Sequence, residues 1–329
     1  MNSRGDIAFV AADDGPVRTL DTVARAAGAR LADPAACGTD VEAWRAAFTA
    51  QRTRLLVCGT SASAAGATIE AAARRAAAGL GLPVACIEDF PGNYAEVAGA
   101  PTRLLIAESA RSRDIYRARG WRDLPIAVIP SVRYDAVRGR DIACVPAQPP
   151  YRVLWAGQPE TAHDLATLEW VLRTWQGLAP IVLFRAHPRD PGVAAGAYAA
   201  FAALLGERWI DVTDEPLAVT LARDFHLVVT QFSSVAVEAG FLGIPSLHVL
   251  LAAAGGGSLK AMKGYDTPAI CAEGAAFMAR DNTPVQDVVG TLTDDTARRA
   301  VLARFVEAYQ TDTPTLPMVM ETLAGIIPP

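Results

Sequence analysis

Short apolar runs, each released into a polar or glycine-bearing turn and then followed by a helical stretch, recur along nearly all of this 329-residue chain. Runs such as Leu227-Val228-Val229-Thr230 lack the polar alternate positions of a half-solvated strand, so they must be covered on both faces. The helical stretches between them supply that cover. Strand and helix alternating at this pitch predict an α/β protein built on parallel, doubly wound sheets.

The alternation predicts strands at 7–11, 54–58, 83–87, 103–107 and 126–129, with helices at 17–29, 67–80 and 109–119 between them. From 138 to 151 the periodicity fails, and Pro146, Pro149 and Pro150 punctuate the sequence. A domain boundary is expected there, dividing the chain into 1–148 and 149–329. The pattern then resumes, with strands expected at 152–157, 181–184, 209–212, 227–230 and 246–250 and helices at 164–175 and 297–310. A short helix near the end can cross back to the first domain. Two such domains are expected to leave a cleft at the carboxyl ends of their strands, where this architecture binds ligands.

Composition narrows the function classes. The chain is 51% hydrophobic and 20% charged, and no apolar run reaches the roughly 18 residues that a membrane span needs. Its start leads into a strand without a signal-peptide apolar region, so a cytoplasmic protein without a transmembrane segment is expected. A formal charge of -5 argues against nucleic acid as a partner, because phosphate-backbone binding needs a basic face. Five cysteines without a CxxC pair and four histidines without HxxxH or HxH spacing suggest neither a disulfide framework nor a metal centre.

The candidate chemistry lies where strands end. Arg185 and His187-Pro188 follow the strand at 181–184, and a histidine there can donate to a phosphate oxygen. Ser233-Ser234 follow the strand at 227–230 and open a helix expected at 235–242; hydroxyls with unpaired N–H groups make an anion site, although serine also starts helices for stability alone. Glu238 lies too far along for a capping box, which leaves it to hold ribose hydroxyls or to be solvated. Gly157 ends the first strand of the second half. In the first half, Glu88-Asp89 end the strand at 83–87, and one of them can serve as a general base. Gly59-Thr60-Ser61 form a small-residue turn that lets a ligand approach the backbone. Gly255-Gly256-Gly257-Ser258, followed by Lys260 and Lys263, is expected to be a mobile loop. No GxxxxGK[ST], GxGxxG or GxSxG motif accompanies these strands, which sets aside P-loop ATPases, dinucleotide dehydrogenases and serine hydrolases.

Taken in order, Arg-x-His-Pro after a strand and then Ser-Ser-x-x-x-Glu-Ala-x-x-x-Gly-x-Pro resemble the nucleotide-binding half of two-domain GT-B glycosyltransferases, from about 154 to 249. The chain is most similar to the group that includes bacterial sialyltransferases, polysialyltransferases, Kdo transferases and CDP-glycerol glycerophosphotransferases. Phe90 stands where the sialyltransferase acidic motif has glycine, and Gln231-Phe232 stand where the glycerophosphotransferases have Asp-Tyr. The resemblance implies two Rossmann-like domains facing a cleft and transfer of a sugar from a CMP- or UDP-type donor to a saccharide or other hydroxyl acceptor. With no DxD triad or other evident metal cluster in the sequence, no metal is expected, and no cofactor, the nucleotide-sugar being a substrate. On that pattern Arg185, His187, Pro188, Ser233, Ser234, Glu238 and Gly157 bind the donor, Glu88 or Asp89 is the base, and Gly59, Thr60 and Ser61 lie on the acceptor side. A nucleotide-sugar 2-epimerase or hydrolase, or a domain that binds without turnover, stands as the alternative.

Overall fold

The computed structural model describes residues 6–138, 141–311 and 313–328. The chain divides into two compact units, Met1–Arg138 with Thr311–Pro329, and Gly139–Gln310.

The first unit contains β1 (Ile7–Val10), α1 (Asp14–Ala26), α2 (Pro34–Cys37), α3 (Val41–Ala50), β2 (Leu55–Cys58), α4 (Ala64–Gly79), β3 (Val84–Ile87), β4 (Leu104–Ala107), α5 (Ala110–Ala118) and β5 (Ile126–Val128). Its sheet is parallel throughout, in the order β1-β2-β3-β4-β5, and Phe9 makes an isolated parallel bridge to Leu31 on the other side of β1. The chain thus steps from β1 to Leu31, then crosses back over β1 to β2. Right-handed crossovers in opposite directions put helices on opposite faces. Phe9, Leu55, Val57 and Ile106 accordingly meet Leu20 and Val23 of α1, whereas Val10, Leu56, Cys58 and Leu105 meet Trp44 and Phe48 of α3 and the alanines of α4. Ala72, Ala73, Ala76 and Ala77 are buried, and their small side chains let α4 lie close to the sheet.

The second unit contains β6 (Arg152–Ala156), α6 (Thr161–Thr174), β7 (Ile181–Arg185), α7 (Ala199–Leu205), β8 (Trp209–Asp211), α8 (Leu217–Leu221), β9 (Leu227–Thr230), α9 (Val235–Gly240), β10 (Ser246–Val249), α10 (Gly255–Lys263), α11 (Ala269–Ala272), β11 (Phe277–Ala279), α12 (Val285–Thr293) and α13 (Asp295–Tyr309). Its parallel strands lie in the order β11-β10-β9-β6-β7-β8. The chain winds outward from β6 to β8, returns to the opposite side of β6 as β9, and winds outward again. The winding therefore reverses between β6 and β9, and the loops leaving those two strands diverge. One face packs Trp155, Phe184 and Val229 on Leu168 and Val171 of α6 and Val288 and Leu292 of α12; the other packs Leu154, Leu183 and Val228 on Phe225, Ala239 and Ile244.

Two segments fall differently from the expected division at 148/149. Residues 141–148 are tied to the second unit: Val145 N donates to Gly243 O at 2.9 Å, and the buried Arg298 of α13 donates to Val145 O, His226 O and Thr291 O at 2.9, 2.7 and 3.0 Å. The last helix, α14 (Thr315–Ala324), returns to the first unit, where Val319 and Leu323 join the core around Leu20 and Val23. Asp135 anchors its start, accepting from Thr315 Oγ1 at 2.6 Å and Leu316 N at 2.8 Å. The glycine-rich segment expected as a mobile loop is instead the start of α10. Its glycines answer to space: a Cβ at Gly255 would lie 2.3 Å from Gln231 Oε1, one at Gly256 2.9 Å from Leu250 O, and one at Gly257 2.6 Å from Ala252 O.

Because Leu323 is completely buried in the first unit's core, Leu323→Ala is expected to lower the unfolding free energy by about 2–5 kcal/mol. Urea titration measures this. A loss below about 0.5 kcal/mol, the range of surface substitutions, would mean that α14 does not hold the core.

Candidate functional site

At the carboxyl edge of the first sheet, the winding reversal beside β1 brings the loops after β1, β2 and β3 together. Asp13 precedes α1, but its carboxylate does not cap that helix. It accepts instead from Ala62 N and Ser63 N of the β2 loop at 2.9 and 2.8 Å, and from Ser63 Oγ at 2.5 Å. Ser61 donates through its N and Oγ to the two oxygens of Glu70 at 2.9 and 2.6 Å, and Thr60 Oγ1 donates to Asp89 Oδ1 at 2.7 Å. Thr60 and Ser61 are both buried, so their hydroxyls serve to hold carboxylates in place. Gly59 is required by packing, because a Cβ there would lie 2.5 Å from Pro16 Cβ and 3.0 Å from Glu70 Oε1.

Glu88 and Asp89, neighbours in sequence, have different surroundings. Glu88 is 1% exposed. Its Oε1 accepts from Gly92 N at 3.0 Å and Tyr116 Oη, and its Oε2 from Glu108 N at 3.1 Å and Ser112 Oγ. Burial pushes the Glu88 carboxyl up to about 7 despite those four contacts. Asp89 is half-buried, held by Thr60 and by Asn93 Nδ2 at 3.2 Å, and its other oxygen faces Gly15, where a Cβ would approach to 2.5 Å.

In the second unit, Asp164 of α6 sits at the reversal between β6 and β9. It has no exposure, and its carboxylate accepts from Gln158 N in the β6 loop at 3.1 and 2.9 Å and from Gln231 Nε2 in the β9 loop at 2.7 Å. Gly157 must be glycine here: a Cβ would lie 2.4 Å from Asp164 Oδ2 and 3.3 Å from His187 N. The same approach sets His187 beside the β6 loop. His187 Nδ1 accepts from Arg189 N at 3.1 Å, so the proton of the neutral ring is on Nε2, which is then a donor. Pro188 is exposed.

Arg185 is employed within the unit. Its Nη1 donates to Val212 O, Glu215 O and Thr220 Oγ1 at 3.1, 2.6 and 3.1 Å, fastening the loop after β8. Ser233 and Ser234 stand half-buried after β9, and Glu238 half-buried on α9. Ser233 N donates to Thr230 Oγ1 at 3.1 Å, and Thr230 Oγ1 donates to Ala156 O at 2.7 Å, which joins this turn to β6. The helix-start N–H groups are engaged locally: Val235 N on Ser233 Oγ, Ala236 N on Ser233 O and Val237 N on Ser234 O.

The structure thus gathers Gly157, His187 and the Ser233 turn around the carboxyl ends of β6, β7 and β9, and gathers Thr60, Ser61 and Asp89 at the edge of the first sheet. Sequence reasoning assigned no role to Asp13, Glu70, Asp164 or Gln231. Asp13 and Gln231 directly follow apolar runs, which was a usable signal. Glu70 and Asp164 lie inside helical stretches, and only the return of each helix to the reversal point reveals their part in the site. Among the described residues, no group of three or more His, Cys, Asp or Glu side chains could hold a metal ion, and no helix is long and apolar enough to cross a membrane.

Glu70, Glu88 and Asp164 are each pushed up to about 7, burial being the largest cause for all three. A carboxyl whose folded pKa is raised contributes stability that is complete below its unfolded pKa and is lost as pH rises through 7, about 3 kcal/mol for such a shift at a buried site. The unfolding free energy should therefore fall between pH 5 and pH 7, and Glu88→Gln should flatten that fall. Denaturation curves across this range test it; equal slopes for variant and wild type would exclude the assignment to Glu88.

No protein-family model matches the chain, and no curated protein matches it in sequence. In structure it is similar to MurG of Acinetobacter baumannii, with a TM-score of 0.58 at 12% identity over 97% of this chain and 99% of that one. The calicheamicin glycosyltransferase CalG4 gives 0.57 at 14% identity over 100% of both chains. The UDP-GlcNAc 2-epimerase of Methanocaldococcus jannaschii gives 0.58 at 12% over 97% and 99%. At these identities the likeness is one of fold, and it runs through both units. The chain has the two-domain α/β architecture of the GT-B type, each domain a Rossmann-like parallel sheet covered by helices.

Proposed function

We propose that the protein is a glycosyltransferase that moves a sugar from a nucleotide-activated donor, of CMP or UDP type, to a saccharide or other hydroxyl acceptor in surface polysaccharide or glycoconjugate synthesis. The observation that carries this reading is the cluster at the winding reversal of the second sheet, where His187 adjoins Gly157 and the Ser233 turn is tied back to β6. Open α/β sheets bind nucleotides at such reversals. His187 Nε2–H and the Ser233 and Ser234 hydroxyls are the donors for the donor phosphate, and Glu238 is the group for the ribose. Arg185 acts by fixing the loop after β8. The division into an acceptor-side and a donor-side domain belongs to the same proposal, as does a cytoplasmic location.

In the reaction, the acceptor oxygen attacks the anomeric carbon while the bond from that carbon to the phosphate oxygen breaks, the electron pair leaving with the nucleotide. Hydrogen bonds from His187 and the serines stabilise the charge that grows on the phosphate. Asp89 is the proposed base for the acceptor proton. It is half-buried, whereas Glu88 is enclosed by four donors. The nucleotide-sugar is a substrate, and the reading assigns no cofactor and no metal.

The likeness to a 2-epimerase supports a second reading, epimerisation or hydrolysis of the nucleotide-sugar. The products separate the two. Nucleotide release that depends on an acceptor marks transfer, a changed sugar still on its nucleotide marks epimerisation, and acceptor-independent release marks hydrolysis.

His187→Ala and Asp89→Asn are each expected to lower turnover by about 10²-fold or more. Because both side chains are half-buried, the unfolding free energy of either variant should change by only about 1 kcal/mol. One of the nucleotides CMP, CDP, UDP, GDP and dTDP should raise the Tm of the wild type and not that of His187→Ala. Unchanged turnover in His187→Ala would remove it from the donor site, and absence of any nucleotide-induced shift would favour a domain that binds no nucleotide.

A further inference from the structure

A cavity of about 620 Å³ opens in the first unit away from the carboxyl edge of its sheet, between the segment that joins β3 to β4 and the turn before β5. Arg74 of α4, Tyr94, Val97, Pro101, Thr102 and Leu124 line it. Arg74 is 5% exposed and lies one helical turn after Glu70, but the two side chains are engaged in opposite directions. Glu70 is held by Ser61 at the carboxyl edge, while Arg74 Nη1 donates to Ala95 O and Nη2 to Thr102 Oγ1, both at 2.8 Å. Its guanidinium lies over the Tyr94 ring, 5.3 Å from the centroid.

What these contacts lack is a counter-charge. The comparably buried Arg138 pairs with Asp135 at 2.7 Å and Arg298 approaches Asp295 at 3.9 Å, yet among the described residues no carboxylate lies within ion-pair distance of Arg74. Arg74 Nε is buried with no hydrogen-bond partner. A guanidinium placed out of water without an anion is costly, and a carboxylate in the cavity that Arg74 lines would supply the missing charge. Val97, Pro101 and Leu124 give the remaining wall an apolar patch, and the exposed Glu96 and Asp123 also line the cavity. Those two charges oppose a dianion more strongly than a monoanion.

We propose that this cavity is a binding site for a small monocarboxylate with an apolar or aromatic body, its carboxylate on Arg74 and its body against Val97, Pro101 and Leu124. The site is independent of the proposed donor site. It stands whether or not the protein transfers sugars.

Calorimetric titration of the full chain with benzoate, phenyl phosphate and benzylamine tests the proposal. Benzoate should bind saturably, one per chain, with a dissociation constant below about 10 mM. Binding should weaken at least tenfold in Arg74→Met and also in Ala98→Trp, a substitution at an exposed lining position that fills the cavity and spares the guanidinium should Arg74→Met fail to fold. His187→Ala should bind benzoate as the wild type does. No saturable benzoate binding would overturn the proposal, as would binding unaffected by either cavity variant. Tighter binding of phenyl phosphate or benzylamine than of benzoate would overturn the assignment to a monocarboxylate.

Discussion

The Asp164 carboxylate governs the geometry of the second unit's edge. It lies where strands β6 and β9 part company, accepts a backbone N–H from one departing loop and a side-chain amide from the other, and has no contact with water. Loops usually carry the mobile parts of a fold, but these two share one buried acceptor. The constraint propagates. Gly157 cannot bear a side chain without striking the carboxylate, and its backbone lies against His187 for the same reason. Gln231, pulled inward to reach Asp164, turns the chain after β9 so that Ser233 and Ser234 come to the edge half-buried. Gln231 also leaves no room for a side chain at Gly255, which fixes the start of α10.

The first unit solves the same problem with more carboxylates. Asp13 from the loop after β1 grips the β2 loop, Glu70 from α4 grips it from the other side, and Thr60 in that loop hands its hydroxyl to Asp89. Three loops are thus cross-linked through a handful of short side chains. Such an edge is preorganised: the groups facing a ligand are oriented before it arrives, so less ordering remains to be done on binding. The energetic cost falls on the buried acids, which the fold holds at pKa values near neutrality.

Much of this architecture was legible in the sequence because its strands are apolar throughout. Runs like Leu55-Leu56-Val57-Cys58 admit few structures other than a two-face-covered strand, and the polar residues that end them mark the functional edge directly. Less legible was anything decided by space at long range. The three glycines at 255–257 look like a mobile loop by propensity, since glycine weakens a helix, yet close approach to Gln231, Leu250 and Ala252 is what demands them. Ser233 and Ser234 were visible as a helix start, but their neighbours' N–H groups proved to be engaged within the turn. The destination of α14 and the attachment of 141–148 depend on the contacts of Asp135 with Thr315 and of Arg298 with Val145, each spanning more than 150 positions.

The division of labour between Glu88 and Asp89 follows from the pleat of β3. Side chains along a strand alternate faces, and in β3 Cys86 belongs to the core beneath α4 while Ile87 belongs to the core beneath α1. Continuing the alternation sends Glu88 to the α4 and α5 side, where Tyr116 and Ser112 enclose it, and sends Asp89 to the α1 side, against Gly15. The two carboxylates could exchange roles only if the strand slipped by one residue, which would turn Ile87 and Cys86 out of their cores. Register therefore selects Asp89 as the carboxylate at the edge. Gly15 completes the selection, because a side chain at that position would occupy the space into which the Asp89 carboxylate projects.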